Sequence, residues 1–319
     1  MVRANVALSF VSLIMRWIIS FRYHKLVKIT AELNMLSKRC NLPTTKNKLK
    51  LIYVFGILTT FLHIPVFVCT LLSLLVIRMK VLLFLADFTN SIYLWILIAI
   101  FAIFNELMLL PINTFAIYYT IVCHHLKLLL VNLSKSMINA ADFEQDRVYK
   151  KYLNIKKIVM HIDEQLSFLV FLSSISNACT MHFGLTIILH PEEYFAPIQM
   201  TTVCCLFASN YLAYIGLILS GSLLYEASKD LWRKMDEALI SRPQMSNLQQ
   251  RLLSLLERGL FLTVWKIVPI TRTFIFSSIG TVFSYCILLD NLESLRNIPS
   301  LWNIINDSES KESKNESFH

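Results

Sequence analysis

The stretch YFAPIQMTTVCCLFASNYLAYIGLILSGSLLY, residues 194–225, contains no Asp, Glu, Lys or Arg. Charge-free runs of similar character occur at Gln165–Pro191 and Leu51–Ile77. Each run exceeds the roughly 20 apolar residues with which a helix spans the hydrocarbon core of a bilayer. Backbone polar groups in lipid must be satisfied within the segment, so these runs predict helices. The sequence therefore predicts an all-α, polytopic bundle that lies in the lipid bilayer.

The composition of the whole chain agrees with this class. Of its 319 residues, 55% are hydrophobic and only 16% are charged, and the mean hydropathy is +0.57. A soluble domain carries about 25% charged residues. The net charge of +9 resides mainly in the loops between apolar runs, which is a topology signal and does not indicate a nucleic-acid partner.

Six membrane spans account for the apolar segments. The first continues beyond the membrane as a basic helix to about Lys38, and Pro111 in the third predicts a kink. Residues 78–87, RMKVLLFLAD, fit either a re-entrant loop or an extra short span. The six spans are Ala4–Phe21, Leu51–Ile77, Phe88–Val131, Gln165–Leu189, Tyr194–Glu226 and Thr273–Leu292.

The charges of the loops predict the orientation. Eight basic residues lie in 22–50, seven in 123–163 and six in 229–258, whereas HPEEYFAP at 190–197 has two acids and no Lys or Arg. Cytoplasmic loops carry the excess of Lys and Arg, so the three basic loops are expected in the cytoplasm of a multi-pass plasma-membrane protein. The acidic tail, residues 293–319, then lies outside, where the sequons at Asn306 and Asn315 predict glycosylation.

No convergent cluster of histidines or acids with catalytic or metal-binding spacing is visible in the sequence. The cysteines include no CxxC pair, and most lie in or beside apolar spans, which is typical of small buried side chains. The sequence therefore predicts neither an enzyme, nor a metal site, nor a cofactor.

Two cytoplasmic segments are amphipathic. Apolar residues recur every three or four positions in Arg147–Leu169 and again in Leu248–Leu262. Such helices pack against each other or against other subunits below the bilayer; alternatively, they lie on anionic lipid.

The last span has a narrow polar stripe. The residues on it follow steps of four, three, four and three, while the other faces are apolar. This pattern suits the wall of a hydrated pore that a leucine ring closes by dewetting. Alternatively, the hydroxyls bond to carbonyls of their own helix, or join helices within one subunit. Asp290, at the predicted pore mouth, either attracts cations or is simply a helix-end acid in water. The predicted pore-lining residues are Ser277, Thr281, Ser284, Leu288 and Asn291.

The segment RLLSLLERGLFLTVWKIVPITRTFIFSSIGTVFSYCILLDNL, residues 251–292, resembles the last helix of arthropod gustatory receptors. Its residue pattern is similar to that of arachnid members in particular. The signature of that family is TYhhhhhQF, where h is hydrophobic. Here Ser284, Tyr285, Asn291 and Leu292 occupy the signature positions, and Asp290 interrupts the hydrophobic run.

The resemblance implies a seven-helix chemoreceptor, of which this chain lacks the first helix, and a non-selective cation channel gated by a small-molecule tastant. It implies a homo- or heterotetramer of related subunits with the last helices around one pore. The corresponding divisions are a helix bundle with a ligand pocket and cytoplasmic loops at 1–225, a cytoplasmic anchor at 226–264, the pore helix at 265–292 and the extracellular tail at 293–319.

Aromatic and ionisable residues inside the spans are candidates for the ligand pocket and for gating. Glu226 is a candidate for a gating ion pair with Lys266 or Arg272. An aromatic side chain in a helix bundle can also have a packing role only, so ligand binding and packing both remain open for these residues. The candidate pocket residues are Tyr93, Trp95, Tyr118, Tyr119, His182, Tyr211 and Tyr214.

Three alternatives to a chemoreceptor channel are a G-protein-coupled receptor, a transporter and a non-conducting protein of the chemoreceptor fold. The sequence has neither an Asp-Arg-Tyr tripeptide nor an Asn-Pro-x-x-Tyr motif, and its predicted outside C-terminus disagrees with a G-protein-coupled receptor. A transporter favours internal repeats and helices broken by Gly or Pro, and the chain has only six glycines. A non-conducting or degenerate member of the chemoreceptor fold is the third alternative, because the signature is incomplete.

Overall fold

The computed structural model of the chain describes residues 2–40, 54, 92–139, 145–189, 197–240 and 247–297. Two compact units are present, Met1–Phe276 and Ser277–His319. The predicted span Leu51–Ile77 (apart from residue 54), the segment 78–87, the tail 298–319 and its two sequons lie outside the described residues.

Four long helices form the first unit: α1 (Val2–Arg39), α2 (Ile92–Asn139), α3 (Gln145–Leu189) and α4 (Pro197–Ile240). They contain 38 to 48 residues, which corresponds to about 57 to 72 Å at 1.5 Å per residue. The hydrocarbon core of a bilayer is only about 30 Å thick. Each helix is therefore long enough to cross a membrane and continue well beyond it, as the sequence predicts for the first span.

The predicted cytoplasmic helix and the fourth span are one continuous helix. The apolar stripe of Arg147–Leu169 runs without interruption into the charge-free segment, and α3 covers both. Pro111 lies inside α2, which continues on either side of it. Two helices in the described part of the chain are long and apolar enough to cross a membrane, Leu110–Met137 and Asp146–His182.

The core of the bundle is formed by residues from α1, α2, α3 and α4. The helix α2 packs along α4, and α1 packs against both α2 and α3. The largest fully buried aliphatic side chains come from all four helices. They are Met15, Ile29, Leu126, Leu129, Leu130, Ile162, Leu166, Leu169, Leu217 and Ile218. The prediction of an all-α helical bundle is confirmed.

The short helix α5 (Asn247–Glu257) packs beside α3 and α4. Tyr152 of α3 donates its hydroxyl hydrogen to the carbonyl oxygen of Leu255 at 3.2 Å. Leu252 and Leu256 are buried on the same side. The two amphipathic segments thus contact each other, as their stripes predict.

The chain between α5 and the last helix is not helical. The predicted amphipathic helix Leu248–Leu262 ends at Glu257, because Gly259 takes a left-handed conformation with a φ of 65°. Two short strands follow, β1 (Thr263–Val264) and β2 (Val268–Pro269), paired antiparallel.

The last helix, α6 (Arg272–Asn297), begins after this hairpin. The boundary predicted at residue 265 is therefore corrected: residues 265–270 belong to the hairpin. The physical reason is that Pro269 has no N–H for a helical hydrogen bond, and its neighbours are already paired in the hairpin.

Candidate functional site

The hairpin is attached to α3 by an acid. Asp163 accepts hydrogen bonds from the backbone N–H of Thr263 at 2.6 Å and from the Thr263 hydroxyl, which lies 2.9 and 2.8 Å from its two carboxylate oxygens. The N–H of Trp265 donates to the carbonyl oxygen of Ser167 at 3.0 Å, one turn further along α3. We call the segment Leu260–Ile270 the hairpin joint; α3 fixes its first strand at Thr263 and its turn at Trp265.

The turn of the hairpin joint is built from residues that rarely adopt its conformation. Trp265 and Lys266 have φ angles of 50° and 58°. A left-handed conformation costs a non-glycine residue roughly 1–2 kcal/mol. The Trp265 ring lies against Phe171, with centroids 4.5 Å apart, and meets Phe168 edge to face at 6.0 Å. These aromatic contacts offset the backbone cost and hold the turn on α3.

An ion pair lies where α6 begins. Arg272 contacts Glu226 of α4 with two nitrogens, and the Nη2–Oε2 distance is 2.8 Å. A bidentate guanidinium–carboxylate pair fixes orientation as well as distance. Of the two partners predicted for Glu226, the structure selects Arg272. One turn further along α4, Lys229 lies 5.1 Å from the centroid of the Tyr225 ring.

The hairpin joint also contacts α4 closely. The N–H of Leu260 donates to the Ser228 hydroxyl oxygen at 2.7 Å. At Gly221, a Cβ atom would lie 2.9 Å from Ile270 and 3.0 Å from the hydroxyl oxygen of Tyr119. Only a residue without a side chain leaves room here for the end of the hairpin and for α2 together. The joint therefore contacts α3 and α4, at a point of α4 that α2 also approaches.

A charged cluster lies further along α4. Asp230 accepts hydrogen bonds from Lys234 and Arg233, both at 2.7 Å. The hydrogen bond from Lys234, with the positive charges of both residues, lowers the pKa of Asp230 below its ordinary value. The ion pairs of Asp230 with Arg233 and Lys234 are largely exposed. They add little to stability, since water competes for the carboxylate and for both cations.

The second unit contains the predicted pore-lining stripe. Its five members, Ser277 to Asn291, are all exposed, and Leu288 has 53% of its surface accessible. The Thr281 hydroxyl donates to the carbonyl oxygen of Ser277 at 2.7 Å, as the alternative interpretation of this stripe predicts. Because its hydrogen is used within the helix, the Thr281 oxygen faces outward as an acceptor, which suits water or a cation.

Apolar side chains on the other faces of α6 are exposed as well. Phe276, Phe283 and Tyr285 have 75%, 50% and 62% of their surface accessible. Tyr285 belongs to the signature of the resemblance, and Asn291 in the same signature is exposed. The side chains of Asp290 and Leu292 lie outside the described part, although their backbone is helical.

The candidate ligand-pocket residues fall into two groups. Tyr118 and Tyr119 lie on α2 where α1 crosses it. The Tyr118 hydroxyl donates to the carbonyl oxygen of Leu26 at 3.1 Å, and Tyr119 is 1% exposed in the core. Tyr93 and Trp95 are on the helical backbone of α2, and their side chains lie outside the described part.

The other three candidates, His182, Tyr211 and Tyr214, lie toward the C-terminal end of α3 and in the N-terminal half of α4. There the two helices approach closely, because a Cβ at Gly184 would lie only 2.5 Å from the ring of Phe207. The Phe207 ring stacks on Tyr211 with centroids 5.9 Å apart. Tyr214 is buried and His182 is exposed.

Two buried amide oxygens accompany this second group. The Oδ1 atoms of Asn177 on α3 and Asn210 on α4 have no hydrogen-bond partner among the described residues. Asn177 lies seven residues before Gly184, which is about 10 Å along α3. Asn210 lies three residues after Phe207, which is about 5 Å along the antiparallel α4. A buried acceptor without a donor is costly, which indicates that water or a ligand hydroxyl satisfies it. Sequence patterns did not single out these two asparagines.

No protein-family model and no curated protein matches the sequence. Solved structures do match. The insect olfactory receptor OR5 from Machilis hrabei in complex with eugenol superposes with a TM-score of 0.64 at 14% identity, over 91% of this chain and 80% of that chain. A second structure of the same receptor superposes with a TM-score of 0.61 at 14% identity, over 90% of this chain and 79% of that chain. The chain therefore has the fold of insect-type olfactory receptors.

Proposed function

We propose that this chain is a subunit of a ligand-gated, non-selective cation channel of the chemoreceptor type, and that it is a gustatory receptor. The observation that supports this most directly is the exposed polar stripe of α6 in a chain with a chemoreceptor fold. Four copies of α6 around one axis would bring four stripes together, in a homo- or heterotetramer in the plasma membrane. The glycosylated outside tail and the divisions 1–225, 226–264, 265–292 and 293–319 belong to this proposal, with the helical part of the third division beginning at Arg272.

The pore wall is tested with matched serine variants. Ser284→Cys lies on the stripe, whereas Ser278→Cys lies about 100° away from it. A thiol-reactive cation applied to cells that express each variant should block ligand-evoked or constitutive current only in the first. Equal block of both variants, or block of the second alone, contradicts a pore along this stripe.

The gate is tested with two neighbouring aliphatic residues. Leu288→Ala should increase the resting current, because a smaller ring of side chains stays wetted. Ile287→Ala, about 100° round the helix, should not. Asp290→Asn should reduce the preference for cations over anions if the acids form a ring at the mouth. Surface-expressed protein that stays silent in every form favours the non-conducting alternative.

We propose that the ligand binds between α3 and α4, beside Tyr211 and Tyr214, with a hydroxyl that donates to Asn177 or Asn210. The support is the pair of buried acceptors beside aromatic rings. Eugenol, the ligand named for the Machilis hrabei receptor, is a phenol of this chemical type. The ligand class is therefore a small aromatic molecule with one hydroxyl group.

Substitution of one acceptor tests this pocket. Asn210→Ala should raise the half-maximal concentration of a phenolic ligand about 5- to 10-fold, as expected for one net hydrogen bond of about 1 kcal/mol. The same variant should respond unchanged to the methyl ether of that ligand. Asn154→Ala, on an exposed face of α3, is the matched control and should change neither response.

A further inference from the structure

The helix α1 has two different faces. One face is buried against α2 and α3. The opposite face is exposed and apolar between Phe10 and Phe21, where Phe10, Leu13, Trp17 and Phe21 have 63%, 48%, 69% and 76% of their surface accessible. At 100° per residue, these four side chains occupy one stripe less than a quarter of the circumference wide. An exposed apolar stripe of this kind marks a surface that contacts a membrane or another protein.

The same stripe becomes basic one turn later. Lys25 and Lys28 are exposed and lie about 6 and 10 Å beyond Phe21 along the helix. Lys28 lies on the same line of the helix as Phe10, Trp17 and Phe21. It follows them by 18, 11 and 7 residues, and each of these separations is close to a whole number of turns. The next acid on α1, Glu32, follows a further turn away.

The basic residue that precedes this pair has a different role. Arg22 points toward the bundle and donates from Nη1 to the carbonyl oxygen of Gln165 at 2.7 Å. On the neighbouring turn, Tyr118 bonds to the carbonyl oxygen of Leu26. These two contacts fix the rotation of α1, so Lys25 and Lys28 are held on the outer face. The two lysines are therefore not needed for the contacts that attach α1 to the bundle.

We propose that this face of α1 binds an anionic phospholipid of the cytoplasmic leaflet. The acyl chains lie along Phe10, Trp17 and Phe21, and the phosphate and carboxylate groups lie between Lys25 and Lys28. Charge complementarity and the distance from the aromatic stripe support this occupant, since basic residues beside a membrane attract anionic lipid within a Debye length. The inference rests on the membrane orientation in the proposed function, and not on conduction.

The binding is measured on the purified full chain in neutral detergent, with dioctanoyl phosphatidylserine as the probe and dioctanoyl phosphatidylcholine as the neutral comparison. Lys25→Gln with Lys28→Gln should weaken phosphatidylserine binding about 30-fold, at roughly 5-fold for each lysine. Lys25→Arg with Lys28→Arg should retain it within about 3-fold. Equal affinity of the unaltered chain for the two lipids overturns the proposal.

A matched pair of lysines controls for net charge. Lys38 and Lys157 are exposed and lie beyond or away from the stripe, so Lys38→Gln with Lys157→Gln should change the affinity less than 3-fold. If this pair weakens binding as much as the first pair, the effect is one of overall charge and the site is refuted. Glycerophosphoserine, which has no acyl chains, should bind at least 10-fold more weakly; equal binding refutes the contribution of the aromatic stripe.

Trp17 provides a direct readout of the acyl chains. Phosphatidylserine with brominated chains should quench tryptophan fluorescence, and Trp17→Phe should remove most of the difference from the unbrominated lipid. Quenching that is unchanged in the variant places the lipid elsewhere and overturns the assignment. These results do not depend on current, so a silent channel refutes the proposed function while leaving this site intact.

Discussion

The attachment of the hairpin joint to α3 predicts a large effect of one carboxylate. Asp163→Ala removes the acceptor for both the N–H and the hydroxyl of Thr263, which is buried. Hydrogen bonds to a charged group contribute about 1.5–3 kcal/mol each. The half-buried Asp163 is partly replaceable by water, so we expect a loss of about 3 kcal/mol in the free energy of unfolding. At roughly 2 °C per kcal/mol, Tm should fall about 6 °C.

Thermal unfolding in detergent, followed by size-exclusion chromatography of the heated samples, measures this difference. Asp163→Asn keeps an oxygen for the Thr263 N–H and an amide that donates to the hydroxyl, so its Tm should fall less than about 2 °C. Thr263→Val removes only the hydroxyl, so its Tm should fall by about half as much as that of Asp163→Ala. If Asp163→Asn is as unstable as Asp163→Ala, the charge and not the hydrogen bonding stabilises the joint; an unchanged Asp163→Ala refutes the attachment altogether.

Three further results are expected from the same measurement of Tm. Gly184→Ala should lower Tm by about 4 °C, since overpacking costs about 2 kcal/mol, and Phe207→Leu should restore half of this by removing the ring that the new methyl meets. Glu226→Gln and Arg272→Gln should each have small effects, with a coupling of about 0.5 kcal/mol in the double variant, because both side chains are partly exposed; a coupling of zero contradicts the pair. Asp230→Asn should lower Tm by about 1 °C at pH 7, and the difference should disappear as pH falls below the ordinary Asp pKa, because the lowered pKa stabilises the fold only while the carboxylate is ionised; a difference that grows in acid contradicts this sign.

The helices of the bundle were predictable because their signal is long. A charge-free run such as Gln165–Leu189 permits few structures in a membrane, and the amphipathic stripe before it has the same helical period. The change from an amphipathic to a charge-free pattern near Gln165 predicts two elements, although α3 is one helix because nothing in the sequence breaks it there. The ion pair of Glu226 was also predictable, because a carboxylate at the end of a span requires a nearby cation.

The hairpin joint was not predictable from local patterns. A strand of two residues is too short to show alternation, and the turn at Trp265 and Lys266 has no Gly or Asn to indicate left-handed angles. Its stability comes from residues about 100 positions away, Asp163 and Phe171, which no local window of sequence includes. The buried acceptors on Asn177 and Asn210 were missed for the same reason.

The two-residue ladder of the hairpin joint does not tolerate a change in the number of residues in its strands. Val264 pairs with Val268 and Thr263 with Pro269, and one inserted residue would turn every following side chain in the strand to the opposite face. Trp265 would then lose Phe171, and the Thr263 N–H would lose Asp163. Among relatives of this chain, substitutions in this segment should therefore be far more common than insertions or deletions.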